Sequence, residues 1–509
     1  MLIKKISAAT LLITAMQVQS APVQERPDLT TLKVSTQIVV LDVVVTDRKG
    51  NLVNNLTRDD FTILEDKVPQ RIRSFDPPSA HRMPADMTVN SSADLAKIDD
   101  APVTILVLDE LNTRFEDMSY ARNAVVKYLQ AQPVTLKQPT QLLLAANTNF
   151  TQLHDYTQNR DELISQIQHH LPQYPSKMMS GPGGSVAVER MAQSLASLEQ
   201  IAQASTGTAG RKNVIWVGNG FPSANLISLD EKTAATIETA VKQCTGMLLA
   251  ARVTMYTINP TANTTTTVGA QTPDDLAMAE DENGAQPFSS SVQFSTLAPA
   301  TGGRAFLSRN DIHNEIAEGI DAGTSYYTLS YSPTNHSEAT QKYRNIRIVM
   351  TDHNLHATTR DGYYPAESST QNAALSEPPK QAKAQLQLDI SNAVTSAMTY
   401  NGLDVKPIRD GAEYDLKVRS IGLEWRRVDP QTDRAEVTAI AAWYNAKGQL
   451  LGHAGRELTA NRPTGADQAV QHDTDFRLPV PPLPLSATRL RFVVRDALNG
   501  HMGTADTRP

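Results

Sequence analysis

The sequence predicts an α/β domain set between all-β regions, and three observations predict it. Residues 101–322 alternate short apolar runs with helical periodicities, the pattern of a mainly parallel sheet covered by helices on both faces. Residues 30–77 and 325–365 read as strands and turns. Residues 385–506 carry short alternating runs at the spacing of a β-sandwich.

The bulk numbers fit that class. A chain of 509 residues has material for roughly two to four domains. It is 40% hydrophobic and 20% charged, with a net charge of -7. No stretch is strongly basic, so nucleic acid is excluded as the expected partner: phosphate binding needs clustered Lys and Arg. Residues 1–20 resemble a secretory signal peptide. Lys4 and Lys5 form its positive end, Ile6 to Met16 is mostly apolar, and Val18-Gln19-Ser20 offers small residues before Ala21. The apolar run is too short to span a bilayer, and no later segment is long and apolar enough, so no transmembrane anchor is expected. The predicted location is periplasmic or extracellular. Cys244 is the one cysteine; it falls in a helical pattern and reads as a buried thiol.

In residues 30–77, Val39, Leu41, Val43 and Val45 share one strand face, and Asp47 to Gly50 is a turn. A strand and turn follow at 61–67, and a third strand at 70–75. This piece is marginal as a core of its own. It is expected to pack with 325–365, completing one sandwich around an inserted 101–322 domain. Residues 78–100 are polar and read as a linker.

Within 101–322, Val103 to Leu108 suits a strand buried on both faces. A polar loop follows Asp109, and Asp117 stands where a helix N-cap belongs. Further strands are expected at 141–146, 214–217, 253–258 and 304–307. Helices are expected at 160–169, 186–204, 230–252, 289–298 and 311–322. Residues 262–287 are polar, Thr-rich and acidic, which predicts disorder. Residues 366–384, rich in Ser, Gln and Pro, read as a second linker. In 385–506 the strands are expected at 414–421, 436–444, 449–458, 474–478 and 489–495.

In open α/β sheets the ligand site lies beyond the carboxyl ends of the strands. That places Asp109, Asn112 and Thr113 at the candidate site. The run Ile105-Leu-Val-Leu-Asp-Glu-Leu-Asn-Thr113 resembles the opening of a von Willebrand factor A-type domain, of the exported acidobacterial VWFA-related kind. Other pieces resemble that family in the same order: Asp47 to Val53 with Leu56 to Asp66, Gly210 to Pro222, Ala300 to Phe306, Ser325 to Tyr331 and Arg360 to Tyr364. The resemblance covers about residues 30–365. It implies a Rossmann-like von Willebrand factor A-type domain, flanked here by β-sandwich domains and used to bind a protein partner.

Many such domains hold a divalent cation through Asp-x-Ser-x-Ser, a Thr and a second Asp. A hard cation wants oxygen ligands, and a partner carboxylate can complete its octahedron. Here Asp109 matches the first Asp. Leu111 stands at the first Ser and offers no side-chain oxygen. Thr113 can replace the second Ser, Ser185 the Thr, and Asn219 the second Asp. With Asn112 these residues are the set that would take Mg²⁺. One ligand and one charge are missing, so the resemblance implies a degraded site and no resident cofactor. The other reading of Asp109 is a carboxylate that caps a helix or braces its loop.

Enzyme motifs are missing or incomplete. Gly183 to Ala187 lacks the last Gly of a nucleophile elbow and a strand before it, and reads as a flexible loop. His353 and His356 have no third ligand beside them and read as solvated. The expected function is therefore a non-enzymatic, exported protein–protein interaction or adhesion module of the cell envelope. Its rivals are a secreted hydrolase with a site assembled between domains, and an inert structural envelope protein.

Overall fold

The structure, a computed structural model, describes residues 38–146, 150–172, 174, 184–261, 287–288, 291–307, 311–334, 342–365, 379–396, 398–411, 413–465 and 473–509. The leader at 1–20 and nearly all of the 262–287 segment lie outside the described residues.

Strand β1 (Val39–Thr46) buries Val39, Leu41, Val43 and Val45 and exposes Val40, as the two-residue period of a strand requires. Strands β2 (Phe61–Glu65), β3 (Val68–Gln70) and β4 (Ile72–Asp76) follow. The next segment corrects the linker expected at 78–100. It forms two 3₁₀ turns, Pro78–His81 and Ser92–Lys97, and buries His81, Val89, Leu95 and Ile98. Polar side chains far along the chain hold it. Asp155 accepts from Ser92 N at 2.9 Å, and Gln158 accepts from Val89 N at 3.0 Å. Local composition cannot show such partners.

Strand β5 (Val103–Asp109) is buried at every position because it lies mid-sheet and both its faces carry helices. The sheet adds β6 (Thr135–Ala145), β7 (Phe150–Asn159), β8 (Lys212–Val217), β10 (Val253–Ile258) and β12 (Arg304–Phe306). Its order is β12-β10-β8-β5-β6-β7, parallel except for β7 against β6. A two-stranded ribbon, β9 (Ala224–Asn225) with β11 (Ser291–Val292), stands apart.

Helices α1 (Phe115–Ala131), α2 (Arg160–His169), α3 (Gly184–Ser205), α4 (Glu231–Ala250), α5 (Leu297–Ala300) and α6 (Ile312–Thr324) belong to this unit. Leu106 and Leu108 pack with Ala121, Val125, Leu163 and Ile316 on one face. Ile105 and Val107 pack with Leu198, Val241, Cys244 and Leu248 on the other.

Three helix expectations change. Helix α1 starts after Arg114, not at Asp117, which instead pairs with Arg114 at 2.7 Å within the first turn. Gly184 and the residues after it open α3, where a flexible loop was expected; packing of α3 on α4 extends the helix. The helix expected at 289–298 shrinks to α5, because buried Phe288, Val292 and Phe294 anchor an irregular stretch.

After α6 come β13 (Tyr327–Tyr331), β14 (Arg344–Met350), β15 (His356–Thr358) and β16 (Gly362–Tyr363). They pair with the first strands in two four-stranded sheets, β15-β1-β13-β4 and β16-β14-β2-β3. Leu41, Ile63, Leu329 and Ile346 fill the core between those sheets. Each sheet thus mixes strands from before and after the α/β unit.

The second linker expected at 366–384 is helical from Pro379. Helix α7 (Pro379–Thr395) runs through its end and past 385, and buries Ala393 and Val394 in the α/β core. Ala, Gln, Lys and Leu are good helix formers. The last β region then runs from β17 (Val405–Asp410) through β18 (Glu413–Arg419), β19 (Arg426–Asp429), β20 (Thr432–Tyr444), β21 (Leu450–Pro463), β22 (Asp473–Pro479) and β23 (Arg489–Asp496) to β24 (Met502–Thr507). One sheet is β17-β18-β22; the other is β19-β20-β23-β24, with β21 on the far side of β20. Their core holds Leu416, Val437, Phe476 and Phe492.

Candidate functional site

The carboxyl ends of β5 and β8 meet at the top of the α/β sheet. Strand β5 ends on Asp109, and the loop Glu110 to Thr113 is almost fully buried, which is unusual for a connecting segment. A buried loop must find partners for its own N–H groups, and Asp109 supplies them. Its Oδ1 accepts from Leu111 N at 3.2 Å and Asn112 N at 3.0 Å. Its Oδ2 accepts from the Trp216 indole at 3.2 Å and Gly220 N at 2.8 Å. Thr113 Oγ1 accepts from Asn219 N at 3.1 Å. The two strand exits are therefore tied together by one carboxylate and one hydroxyl.

Gly218 permits this closeness. It adopts φ +149°, and a Cβ there would stand 2.3 Å from Asp109 Cβ and 2.7 Å from Thr113 Oγ1. Gly220, at φ +65°, aims its N–H at the carboxylate.

Burial pushes the Asp109 carboxyl up to about 6, although the donors from Asn112, Trp216 and Gly220 pull it down. The four N–H donors occupy both oxygens, and a carboxylate has roughly four lone-pair directions in all. They leave little capacity for a cation.

Asn112 is fixed from both sides. Its Nδ2 donates to Ser194 Oγ at 3.0 Å, and its Oδ1 accepts from Arg190 Nε at 2.9 Å. Arg190, on the first turns of α3, is half-buried. Burial lowers its pKa, and the Asp109 charge works against that. A guanidinium thus supplies positive charge next to the buried carboxylate. Beside the loop, buried Glu110 meets His170 Nε2 at 3.0 Å.

The five residues expected to form a cation site are only partly brought together. Asp109, Asn112 and Thr113 lie in one buried loop. Asn219 is half-buried, touches Thr113 through its backbone, and accepts from Thr261 Oγ1 at 2.9 Å. Ser185 lies in the first turn of α3, and its side chain lies outside the described residues. Among the described residues no group of three or more His, Cys, Asp or Glu is placed to hold a metal ion.

Sequence reasoning missed Trp216, Gly218, Gly220, Arg190 and Ser194. Gly218-Asn-Gly220 after a strand was a readable signal for close backbone approach. Nothing local marked Arg190.

Large apolar side chains stand exposed on the segments that leave this end of the sheet. They include Phe115 on α1, Leu171 and Tyr174 after α2, and Val188 on α3. The Phe115 and Tyr174 rings lie 6.4 Å apart.

No protein-family model and no curated protein matches the chain. Among solved structures, proximal thread matrix protein 1 from the mussel byssus aligns over 44% of this chain at 11% identity, with a TM-score of 0.26. The alignment covers 49% of that protein, about half its length, and a likeness of this size carries no argument.

Proposed function

We propose that the chain is an exported protein-binding module built on a von Willebrand factor A-type domain, with recognition at the top of the α/β sheet. The observation that carries the reading is the loop Glu110 to Thr113: buried, braced by Asp109, and bordered by segments that expose Phe115, Tyr174, Leu171 and Val188. A rigid floor lowers the ordering cost of binding, and exposed aromatics are the usual anchors of protein contacts.

In this reading no cation bridges the partner. The Asp109 oxygens point inward to N–H donors, and Arg190 provides the local positive charge. The module acts by binding, outside the cytoplasm.

The test uses the full chain immobilised against an envelope extract, followed by purification of the captured partner and titration. Phe115→Ala with Tyr174→Ala is expected to weaken binding at least tenfold. Excess chelator is expected to leave it unchanged. Binding abolished by chelator, or untouched by the two substitutions, would overturn the proposal.

A further inference from the structure

We infer that the free edge of β21 pairs with the same strand of a second copy, making a two-fold dimer centred on Gly455. Strand β21 is the longest strand among the described residues, and it pairs with β20 alone. Among the described residues no strand hydrogen-bonds to its other edge. Proteins usually blunt such edges with charges, proline or bulges. Here the bulge at Tyr444 and Leu450 and the terminal Pro463 guard only the ends. Gly452 and Gly455 open the middle, because Trp443 and Ile440 of β20 fill the space where their side chains would be.

Symmetry restricts how β21 can meet itself. The two-fold axis of an antiparallel pair runs perpendicular to the sheet and keeps each face on its own side. Outward residues must then face outward residues, and inward ones inward. With the axis at Gly455, His453 faces Glu457 of the partner subunit, and the pair occurs twice. Leu451 faces Thr459 of the partner subunit. Moving the axis to Arg456 or Glu457 sets that charge against its own copy, and moving it to Ala454 sets Glu457 against Leu451. Opposed like charges destabilise a strand pair, and a matched polar pair supports it.

His453, Gly455 and Glu457 are exposed. Among the described residues neither His453 nor Glu457 is in an ion pair. Of the registers with the axis between Ala454 and Glu457, the one at Gly455 gives both groups a partner and opposes no like charges. This surface belongs to the C-terminal sheet and is independent of the recognition site proposed above.

Sedimentation of the full chain over a wide concentration range tests the dimer, and a cysteine pair tests the register. His453→Cys with Glu457→Cys should form a disulfide-linked dimer under mild oxidation. Within one copy those positions are about 13 Å apart, at roughly 3.3 Å per residue, beyond the roughly 4–7 Å that a disulfide spans. Either cysteine alone should give no crosslink. His453→Glu should weaken association at least fivefold, and His453→Glu with Glu457→Lys should restore it. A monomer at every concentration overturns the inference. So does a dimer that neither crosslinks nor responds to His453→Glu.

Discussion

Asp109 carries more of this structure than any other single residue of the site, and its oxygens can be tested one at a time. Asp109→Asn keeps the shape but turns one oxygen into an NH₂ group, which must then point at N–H donors. Either the pair from Leu111 and Asn112 or the pair from Trp216 and Gly220 loses its acceptor. The expected cost is about 1–3 kcal/mol, the penalty for an unsatisfied buried donor, measured by denaturant unfolding at pH 7. The pH dependence has a definite sign. The folded pKa of about 6 lies above the ordinary 3.8, so the native state holds this proton more tightly than the unfolded chain. The group's contribution is fully present below pH 3.8 and is lost as pH rises to about 6. Asp109→Asn should remove that slope. Gly218→Ala is a second probe at this scale. Its Cβ would collide with the Asp109 side chain at a φ that disfavours L residues, costing about 1–3 kcal/mol or more.

At the scale of elements, legibility followed the range of the interactions. Strand β5 and its exit at Asp109 were readable because an unbroken apolar run is a local signal. So were the alternating Val39 to Val45 and the helix after Asp230, whose carboxylate accepts from Thr233 N. The segment 78–100 was misread because its large apolar residues are scattered among Ser, Asp and Pro and its anchors, Asp155 and Gln158, sit 63 and 69 residues from their partners in sequence. The start of α7 was missed because Pro378-Pro379, with Ser376 just before them, read as a break. Arg190 was illegible for the same long-range reason: its role exists only where α3 meets Asn112. The docking of 78–100 makes a direct prediction. Leu95 is 6% exposed in the main core, so Leu95→Ala should destabilise the protein by about 2–5 kcal/mol. A solvated linker would show almost no change, and urea unfolding separates the two outcomes.

At the scale of the molecule, the joint between the first sandwich and the α/β unit is a buried charge cluster. Asp42 on β1 accepts from Arg252 at 2.7 Å and from Thr328 at 3.0 Å. Arg211 is fully buried and stacks on Tyr326, and buried Lys212 donates to the Ala251 carbonyl at 3.0 Å. Burial would raise the Asp42 carboxyl, but Arg252 and Arg211 outweigh it and hold it below its usual range. Burial pushes Lys212 down to about 7 and lowers His81, which bonds Thr328 and faces Asp100, Asp42, Asp76 and Arg252. The signs agree. A depressed His81 takes up a proton less readily when folded, so stability falls as pH drops below its ordinary 6.5. Lys212, lowered from 10.5, binds its proton more weakly in the native state, so stability rises as pH climbs from about 7 towards 10.5. Removing the central anion leaves buried Arg211 and half-buried Arg252 without their carboxylate. Asp42→Ala should therefore cost about 3–5 kcal/mol, as breaking a buried ion pair does. Because Asp42 and Arg252 lie on opposite sides of the joint, that loss should also uncouple the two units. Calorimetry is expected to show them melting together in the native chain and in two steps in Asp42→Ala. A single unshifted transition in the variant would mean that apolar packing alone holds the joint and that the charges are incidental to it.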